Sequence, residues 1–88
     1  SYRALAQIAR SVPLRVNFTN LKFDGKNNII ITGLAFADQD ILNFISNLNS
    51  KSLIAQASLT NMKEETQDQN SNSKNMKRFT INSVLKDN

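Results

Sequence analysis

The sequence predicts a two-layer α+β sandwich with its elements in the order αββαββ, and three observations carry this prediction. Residues 29–48 change from a β-branched run to apolar residues at helical spacing, so a strand passes directly into a helix. Two alternating segments flank Asp24-Gly25, which is a strong signal for a hairpin turn. The length of 88 residues is enough for one small domain with a single core.

The first predicted element is a helix over residues 2–12. Its apolar residues follow the spacing i, i+3, i+4, i+7 and share one face: Leu5, Ile8, Ala9 and Val12. Arg3, Gln7 and Arg10 take the opposite face. Pro13 ends the helix, because its ring clashes with a helical predecessor and it has no N–H group. We interpret the apolar face as the surface that lies on a sheet; the alternative is an amphipathic helix on a membrane surface.

Residues 14–23 and 28–36 are predicted to pair as a hairpin. The apolar residues of the first strand change parity half-way along it: Leu14, Val16 and Phe18 precede the change, and Leu21 and Phe23 follow it. A bulge near Thr19-Asn20 adds one residue and restores the face. Gly33 in the second strand is interpreted as a packing glycine that allows close approach of a neighbour. A phosphate-binding glycine is the weaker alternative, because no second glycine completes a G-x-G pattern.

The second predicted helix begins at Asp38 as its N-cap, and Asp40 suits the positive end of the helix dipole. Its buried stripe has helical spacing: Ile41, Phe44, Ile45 and Leu48. A metal or acid/base pair is the alternative for the two aspartates, and it lacks a third ligand.

Residues 53–63 and 76–85 are predicted as the third and fourth strands. Apolar residues of one parity mark each strand: Ala55, Ala57 and Leu59 in the third, and Phe79, Ile81, Ser83 and Leu85 in the fourth, where Ser83 shares the parity. The intervening residues 64–75 are predicted to be a flexible polar loop.

This order of elements predicts a ferredoxin-like sandwich in circularly permuted form, as a single domain over residues 1–88. The crossover helix leaves room for the fourth strand between the second and third. The predicted sheet is therefore antiparallel in the order 3-4-2-1, with both helices on one face.

The composition excludes several classes of site. The chain has neither cysteine nor histidine, which excludes disulfide scaffolds, zinc sites built from these residues and the usual base of a hydrolase triad. We therefore predict no catalytic residues, cofactor or metal. The net charge is +4, with the basic residues dispersed, and only Lys74, Lys77 and Arg78 cluster beside the polar loop.

An RNA-binding domain of RRM architecture is an alternative with a related fold. It requires aromatic side chains on the exposed face of its two central strands. The residues expected there are Ile30, Thr32, Arg78, Thr80 and Asn82, and none is aromatic. A small-molecule regulatory domain of the ACT type is a further alternative, and it requires a ligand pocket at a strand edge.

With these elements in place, the chain resembles the periplasmic domain of the PilN family of type IV pilus assembly proteins. The resemblance lies in the order and spacing of short segments: Pro13, residues 14–23, Asp24-Gly25, residues 29–35 ending in Gly-x-Ala, Ile41 with Phe44 and Leu48, residues 50–52, Leu59 and residues 79–81. The PilO, GspL and GspM platform proteins share a similar fold. The family's cytoplasmic motif, membrane helix and coiled coil are not in these residues, so binding to its cytoplasmic partner is not carried over.

The resemblance implies the periplasmic part of a bacterial inner-membrane protein, anchored by a helix outside these residues. Consistent with that, the chain begins inside a predicted helix and contains no apolar run near 20 residues, so we expect a fragment of a longer protein. The implied function is non-catalytic assembly, as a homodimer or with a PilO-like partner, alongside other pilus components and without nucleic acid. The equivalent platform domain of a type II secretion system is the alternative.

The expected interface is the edge strand near residues 14–23 together with the outer face of the first helix. An edge strand offers unpaired N–H and C=O groups to a partner. The candidate interface residues are Arg3, Arg10, Leu14, Arg15, Val16, Asn17 and Phe18.

Overall fold

A computed structural model of the chain describes residues 2–66 and 75–87 and confirms the αββαββ order. The elements are α1 (Tyr2–Ser11), β1 (Val16–Phe23), β2 (Asn28–Ala35), α2 (Asp38–Asn49), β3 (Ile54–Glu65) and β4 (Met76–Leu85). The first strand begins two residues later than expected, because Leu14 and Arg15 belong to a turn in which the Val16 N–H donates to the Pro13 carbonyl at 3.1 Å.

The four strands form one antiparallel sheet in the order β1-β2-β4-β3, which is the predicted order counted from the other edge. β4 lies between β2 and β3, pairing Gly33 with Phe79 on one side and Leu59 with Ile81 on the other. β1 and β3 are the edge strands.

The bulge predicted in β1 is confirmed. The register with β2 shifts between Phe18 and Asn20, so Thr19 is the extra residue. Phe18 faces Gly33 across the pair and Leu21 faces Ile31, which places both on the face of the sheet that carries the helices.

The β1–β2 turn is organised by Asp24. Its carboxylate accepts hydrogen bonds from the backbone N–H groups of Lys26 (2.8 Å) and Asn28 (3.1 Å) and from the Asn28 side-chain amide (2.9 Å). Gly25 has a φ of 85°, a left-handed conformation that explains the glycine at this position.

The parity assigned to β3 is wrong in part. Register shifts lie between Ile54 and Gln56 and between Leu59 and Asn61, so two extra residues reverse the alternation twice. Ile54 and Ala57 are buried, whereas Ala55 is exposed. The alternation assigned to β4 is confirmed, with Phe79 and Ile81 buried beneath the helices.

The core lies between the sheet and α2. The ring of Phe44 on α2 meets the ring of Phe79 on β4 edge to face, with centroids 6.0 Å apart. Gly33 makes room for this pair, because a Cβ atom there would lie 2.7 Å from Cζ of Phe79 and 2.8 Å from the carbonyl oxygen of Asn17. The structure thus confirms Gly33 as a packing glycine.

The N-terminus of α2 differs from the prediction. The N-cap is Ala37, and Asp38 is already in the helix. The capping carboxylate is that of Asp40, which accepts from the Ala37 N–H at 3.2 Å. Asp40 is buried because Arg15 covers it, with Nε 3.2 Å from both carboxylate oxygens. Asp38 instead forms an ion pair with Lys77.

The predicted polar loop is shorter at its start, since Glu64 and Glu65 extend β3. Asn75 donates a side-chain hydrogen bond to Glu64 at 2.8 Å across the base of the hairpin. The remainder of the predicted loop, residues 67–74, lies outside the described residues.

Candidate interaction surface

The buried side of α1 is not the one that the apolar stripe predicted. The helix buries Ala4, Ile8 and Ser11, whereas Leu5 is 43% exposed. The residues at positions 4, 8 and 11 lie on one side of a helix, and this is the side that α1 turns towards the core. Of the predicted stripe, only Ile8 is buried in the core.

Polar contacts hold α1 in this orientation. Gln7, expected on the solvent face, accepts a hydrogen bond from the Leu53 N–H at 2.9 Å and donates one to Ser52 at 2.9 Å. At the other end, the Asn47 side chain donates to the Ser11 carbonyl at 3.0 Å. Both contacts tie α1 to α2 and to the turn that follows it, rather than to β1.

An open apolar groove remains between α1 and β1, which we call the α1–β1 groove. It has a volume of about 450 Å³ and is lined by Leu5, Ile8, Ala9, Val12, Phe18 and Leu21. A second hollow of about 260 Å³ continues it, lined by Leu5 and Leu21 again together with Phe23, Ile29 and Leu85. Phe18 and Phe23 are 41% and 49% exposed although they face the helix layer, because α1 does not cover them.

Tyr2 is seven residues before Ala9 and therefore shares its side of α1, where it is 82% exposed.

The lining of the groove differs from that of a small-molecule site. A small-molecule site combines apolar walls with a few converging polar groups. Every residue that lines the α1–β1 groove is apolar. The pocket that the ACT-type alternative requires at a strand edge is present, but the polar groups of such a site are not among its lining residues.

The two edges of the sheet differ in how many of their backbone N–H and C=O groups are free to pair with a further strand. On β3, the side-chain amide of Asn49 accepts from the Ala57 N–H at 2.8 Å and donates to the Ala57 carbonyl at 3.0 Å, which occupies the backbone there. Within the described ranges, β1 pairs along its length with β2 alone and carries one bulge, against two in β3. β1 is therefore the more open edge.

The net charge is unevenly distributed along the chain, because most of the acidic residues lie in its second part. Residues 1–28 carry five basic side chains and one acidic side chain, whereas residues 29–88 carry six of each. The net charge of +4 therefore belongs entirely to the segment that contains α1, β1 and their turn.

The predicted interface residues near β1 differ in their exposure and in the surface on which they lie. Phe18 lines the α1–β1 groove, and Leu14 is fully exposed in the link before β1. Val16 is buried in the core, so its side chain is not accessible to a partner. Asn17 is exposed on the sheet face opposite the helices, since it neighbours the inward-facing Val16 and Phe18.

The three arginines of the predicted interface do not line the groove. Arg3 and Arg10 are exposed and seven residues apart, on the side of α1 remote from Leu5 and Ala9. Arg15 has a role within the fold, bonding to Asp40 while its guanidinium lies 5.4 Å from the centre of the Phe36 ring. Its side chain remains 63% exposed.

The groove-lining residues of α1 were visible as a helical stripe, but the stripe was expected to be buried. The signal that identifies them is the pair of small residues Ala4 and Ser11, which provides α1 with a second contact side. Because α1 buries that side, Leu5 and Val12 line the open groove beside β1.

A smaller apolar hollow lies at the other edge of the sheet. It has a volume of about 230 Å³ and is lined by Asp38, Ile41, Leu42, Leu59 and Met62. Leu42 is 54% exposed on α2. This hollow provides a comparison surface of similar chemistry, away from α1 and β1.

The outer face of the two central strands carries Ile30, Thr32, Thr80 and Asn82, as expected from their parity. None of these is aromatic, so the stacking platform of an RRM is missing from them.

Among residues 2–66 and 75–87, no three or more acidic residues gather where they would hold a metal ion. No helix in the same ranges combines the length and apolar character needed to cross a bilayer.

Comparison with known families found one match. The sequence model described as "Fimbrial assembly protein (PilN)" matches residues 3–85, which is nearly the whole chain. Comparisons with curated proteins and with solved structures found no match.

Proposed function

The chain belongs to the PilN family of fimbrial assembly proteins, which act in type IV pilus assembly, and we propose that this domain acts there as a non-catalytic interaction module. Its partner is a second domain of similar fold, either another copy of the chain or a PilO-like protein. The domain works in the periplasm as part of a protein anchored in the inner membrane by a helix outside residues 1–88.

The observation that carries the proposal is the uncovered α1–β1 groove beside an edge strand. Leu5, Phe18 and Phe23 are each more than 40% exposed and lie on one continuous surface. Contiguous exposed apolar surface of this kind marks sites of protein–protein contact. A domain of 88 residues has a small core, and covering this surface also stabilises the fold.

The experiment measures association of the 88-residue chain, alone and with the periplasmic domain of a PilO-like protein, by analytical ultracentrifugation over a range of concentrations. Leu5→Glu places a charge in the groove and is expected to weaken association about tenfold or more, because a leucine loses its burial and a carboxylate is desolvated. Leu42→Glu is the matched control, since it changes an exposed helical leucine in the other hollow.

Two outcomes contradict the proposal. One is a chain that stays monomeric at high concentration and does not bind the PilO-like domain. The other is an equal loss of association in Leu5→Glu and Leu42→Glu, which places the interface elsewhere. Circular dichroism of both variants verifies that each remains folded.

The equivalent platform role in a type II secretion system predicts a different partner. The same ultracentrifugation experiment with a GspM-like periplasmic domain tests it. The family match favours the pilus system, because its description is that of a fimbrial assembly protein.

A further inference from the structure

We infer that the α1–β1 groove takes an extended, acidic segment of a partner protein, which adds to the sheet as a fifth strand beside β1. The inference rests on the proposed role as an interaction module and specifies the chemistry of the partner segment. It has three parts: the segment is extended, its side chains alternate between apolar and polar, and its polar side chains are acidic.

The extended conformation follows from the sheet edge. β1 pairs with β2 on one side, and its other side is open in the part of the chain that the structure describes. A strand that lies along this edge satisfies the free N–H and C=O groups of β1. The corresponding groups of β3 are partly occupied, since Asn49 bonds both backbone groups of Ala57.

The bulge at Thr19 defines which part of β1 receives the segment. The Thr19 hydroxyl donates to the Thr32 carbonyl at 3.0 Å, and the regular ladder resumes at Asn20. Bulges interrupt pairing along an edge. The new strand therefore pairs with Asn20–Phe23, beside the hollow formed by Leu21 and Phe23.

The alternation follows from the two faces of β1. Leu21 and Phe23 face the helix layer, and Lys22 points to the opposite face, where it is exposed. A strand added beside them has alternate side chains on the same two faces. Those on the helix side enter the groove against Leu5, and they are apolar because the groove is.

The acidic character follows from charge. Lys22 is exposed on the edge strand β1, and it has no acidic side chain within 4 Å among the described residues. Opposite charges on neighbouring strands attract, and like charges repel. A second copy of the chain docked edge to edge through β1 brings the two Lys22 side chains to the same edge, so a different, acidic partner fits better.

The test uses synthetic seven-residue peptides with blocked ends and the 88-residue chain labelled with ¹⁵N. One peptide alternates valine and glutamate, a second alternates valine and lysine, and a third has the composition of the first with its valines in one block. We expect the first peptide to bind, to shift the amide resonances of Asn20–Phe23 and to bind more weakly as salt is raised. The other two are expected to bind at least about tenfold more weakly.

A matched pair of charge reversals locates the contact. Lys22→Glu lies on β1 and Lys63→Glu on β3, and both lysines are exposed on edge strands. Lys22→Glu is expected to weaken binding of the glutamate peptide about three- to tenfold, and Lys63→Glu to leave it within about twofold.

Equal binding of the glutamate and lysine peptides, or equal effects of the two reversals, overturns the inference. It is also overturned if the chain associates with itself through Asn20–Phe23 more strongly as salt is raised, since a second copy then occupies the edge. That last result leaves the proposed function intact, which fails only by the ultracentrifugation criteria above.

Discussion

At the scale of single residues, Ser83 is a polar side chain buried without a hydrogen-bond partner in the described part of the core. Ser83 on β4 is fully buried, and its hydroxyl has no hydrogen-bond partner among the described residues. A buried polar group without a partner costs about 1–3 kcal/mol. Ser11 is equally buried, but its hydroxyl donates to the Gln7 carbonyl at 2.7 Å.

Ser83→Ala is expected to raise the free energy of unfolding by about 1 kcal/mol, because it removes the unsatisfied hydroxyl without leaving a large cavity. Ser11→Ala is the control and is expected to have no stabilising effect. Urea denaturation of the two variants measures both changes. A loss of stability in Ser83→Ala contradicts the interpretation.

Gly33→Ala is expected to lower the free energy of unfolding by about 1–3 kcal/mol, because its Cβ atom would overlap the Phe79 ring and the Asn17 carbonyl. In a chain that already carries Phe79→Leu, the overlap with the Phe79 ring is removed. The cost of Gly33→Ala is therefore smaller in that background, and a double-mutant cycle by urea denaturation measures the difference. Strictly additive costs contradict the proposed overlap.

At the scale of elements, α1 packs against the rest of the fold through one side only. Ile8 packs into the core, the Ser11 carbonyl accepts a hydrogen bond from Asn47 on α2, and the amide of Gln7 bonds the turn after α2. The other apolar side of α1 faces the groove. The orientation of α1 therefore depends on a few polar contacts as well as on apolar burial.

Gln7→Ala is expected to cost about 1–2 kcal/mol of stability, since the Leu53 N–H loses its acceptor, and to accelerate hydrogen exchange within α1. Gln39→Ala is a matched control on α2, where the amide only donates to Asn43 on the surface. We expect its effect to stay within about 0.5 kcal/mol. Equal costs for the two substitutions exclude a clamping role for Gln7.

The β1–β2 turn and the β3–β4 ion pair depend on pH. Three hydrogen bonds, the strongest influence being the Asn28 side chain, lower the pKa of Asp24 below its usual 3.8. The hydrogen bond with Arg78 lowers the pKa of Glu65 below its usual 4.5. Both carboxylates therefore contribute stability that is complete above these usual values and is lost as the pH falls through the lower native values.

An NMR titration of the side-chain carboxyl resonances tests this, with expected midpoints below 3.8 for Asp24 and below 4.5 for Glu65. In Asn28→Ala, the Asp24 midpoint is expected to move back towards its usual value, because the hydrogen bond from the Asn28 side-chain amide is removed. A midpoint at or above 3.8 in the unsubstituted chain contradicts the hydrogen-bonded turn.

At the scale of the whole molecule, the sheet consists of two central strands and two edge strands. β2 and β4 are paired on both sides, and their inward residues Ile31 and Ile81 are completely buried. Native-state hydrogen exchange is expected to show the highest opening free energies in β2 and β4 and lower values in α1 and β1. Protection of β1 equal to that of β2 contradicts this order.

Much of this architecture is predictable from local patterns. The alternation in β4, the bulge forced by the parity change before Leu21 and the packing role of Gly33 each depend on a few neighbouring residues. The orientation of α1 is not local, since it depends on contacts with residues distant in the sequence, such as those of Gln7 with Leu53 and of Ser11 with Asn47. Similarly, the buried carboxylate of Asp40 is paired with Arg15, which is distant in the sequence.

The candidate site shows the same division. Its members on β1 and α1 were individually identifiable, and Phe18 was among the predicted interface residues. The groove itself was missed, because an apolar stripe taken alone does not reveal whether another element covers it. Arg3 and Arg10 were predicted as interface residues on the outer face of the first helix, and they lie on the side of α1 remote from Leu5 and Ala9.

The exposed ring of Tyr2 has a practical consequence for optical measurements. The chain contains one tyrosine and no tryptophan, so its ultraviolet emission arises essentially from a single phenol next to the α1–β1 groove. A partner that covers this side of α1 shields the ring from a dissolved quencher such as acrylamide. Occupancy of the groove is therefore measurable on the unlabelled chain, with partners or peptides that themselves contain no tyrosine or tryptophan.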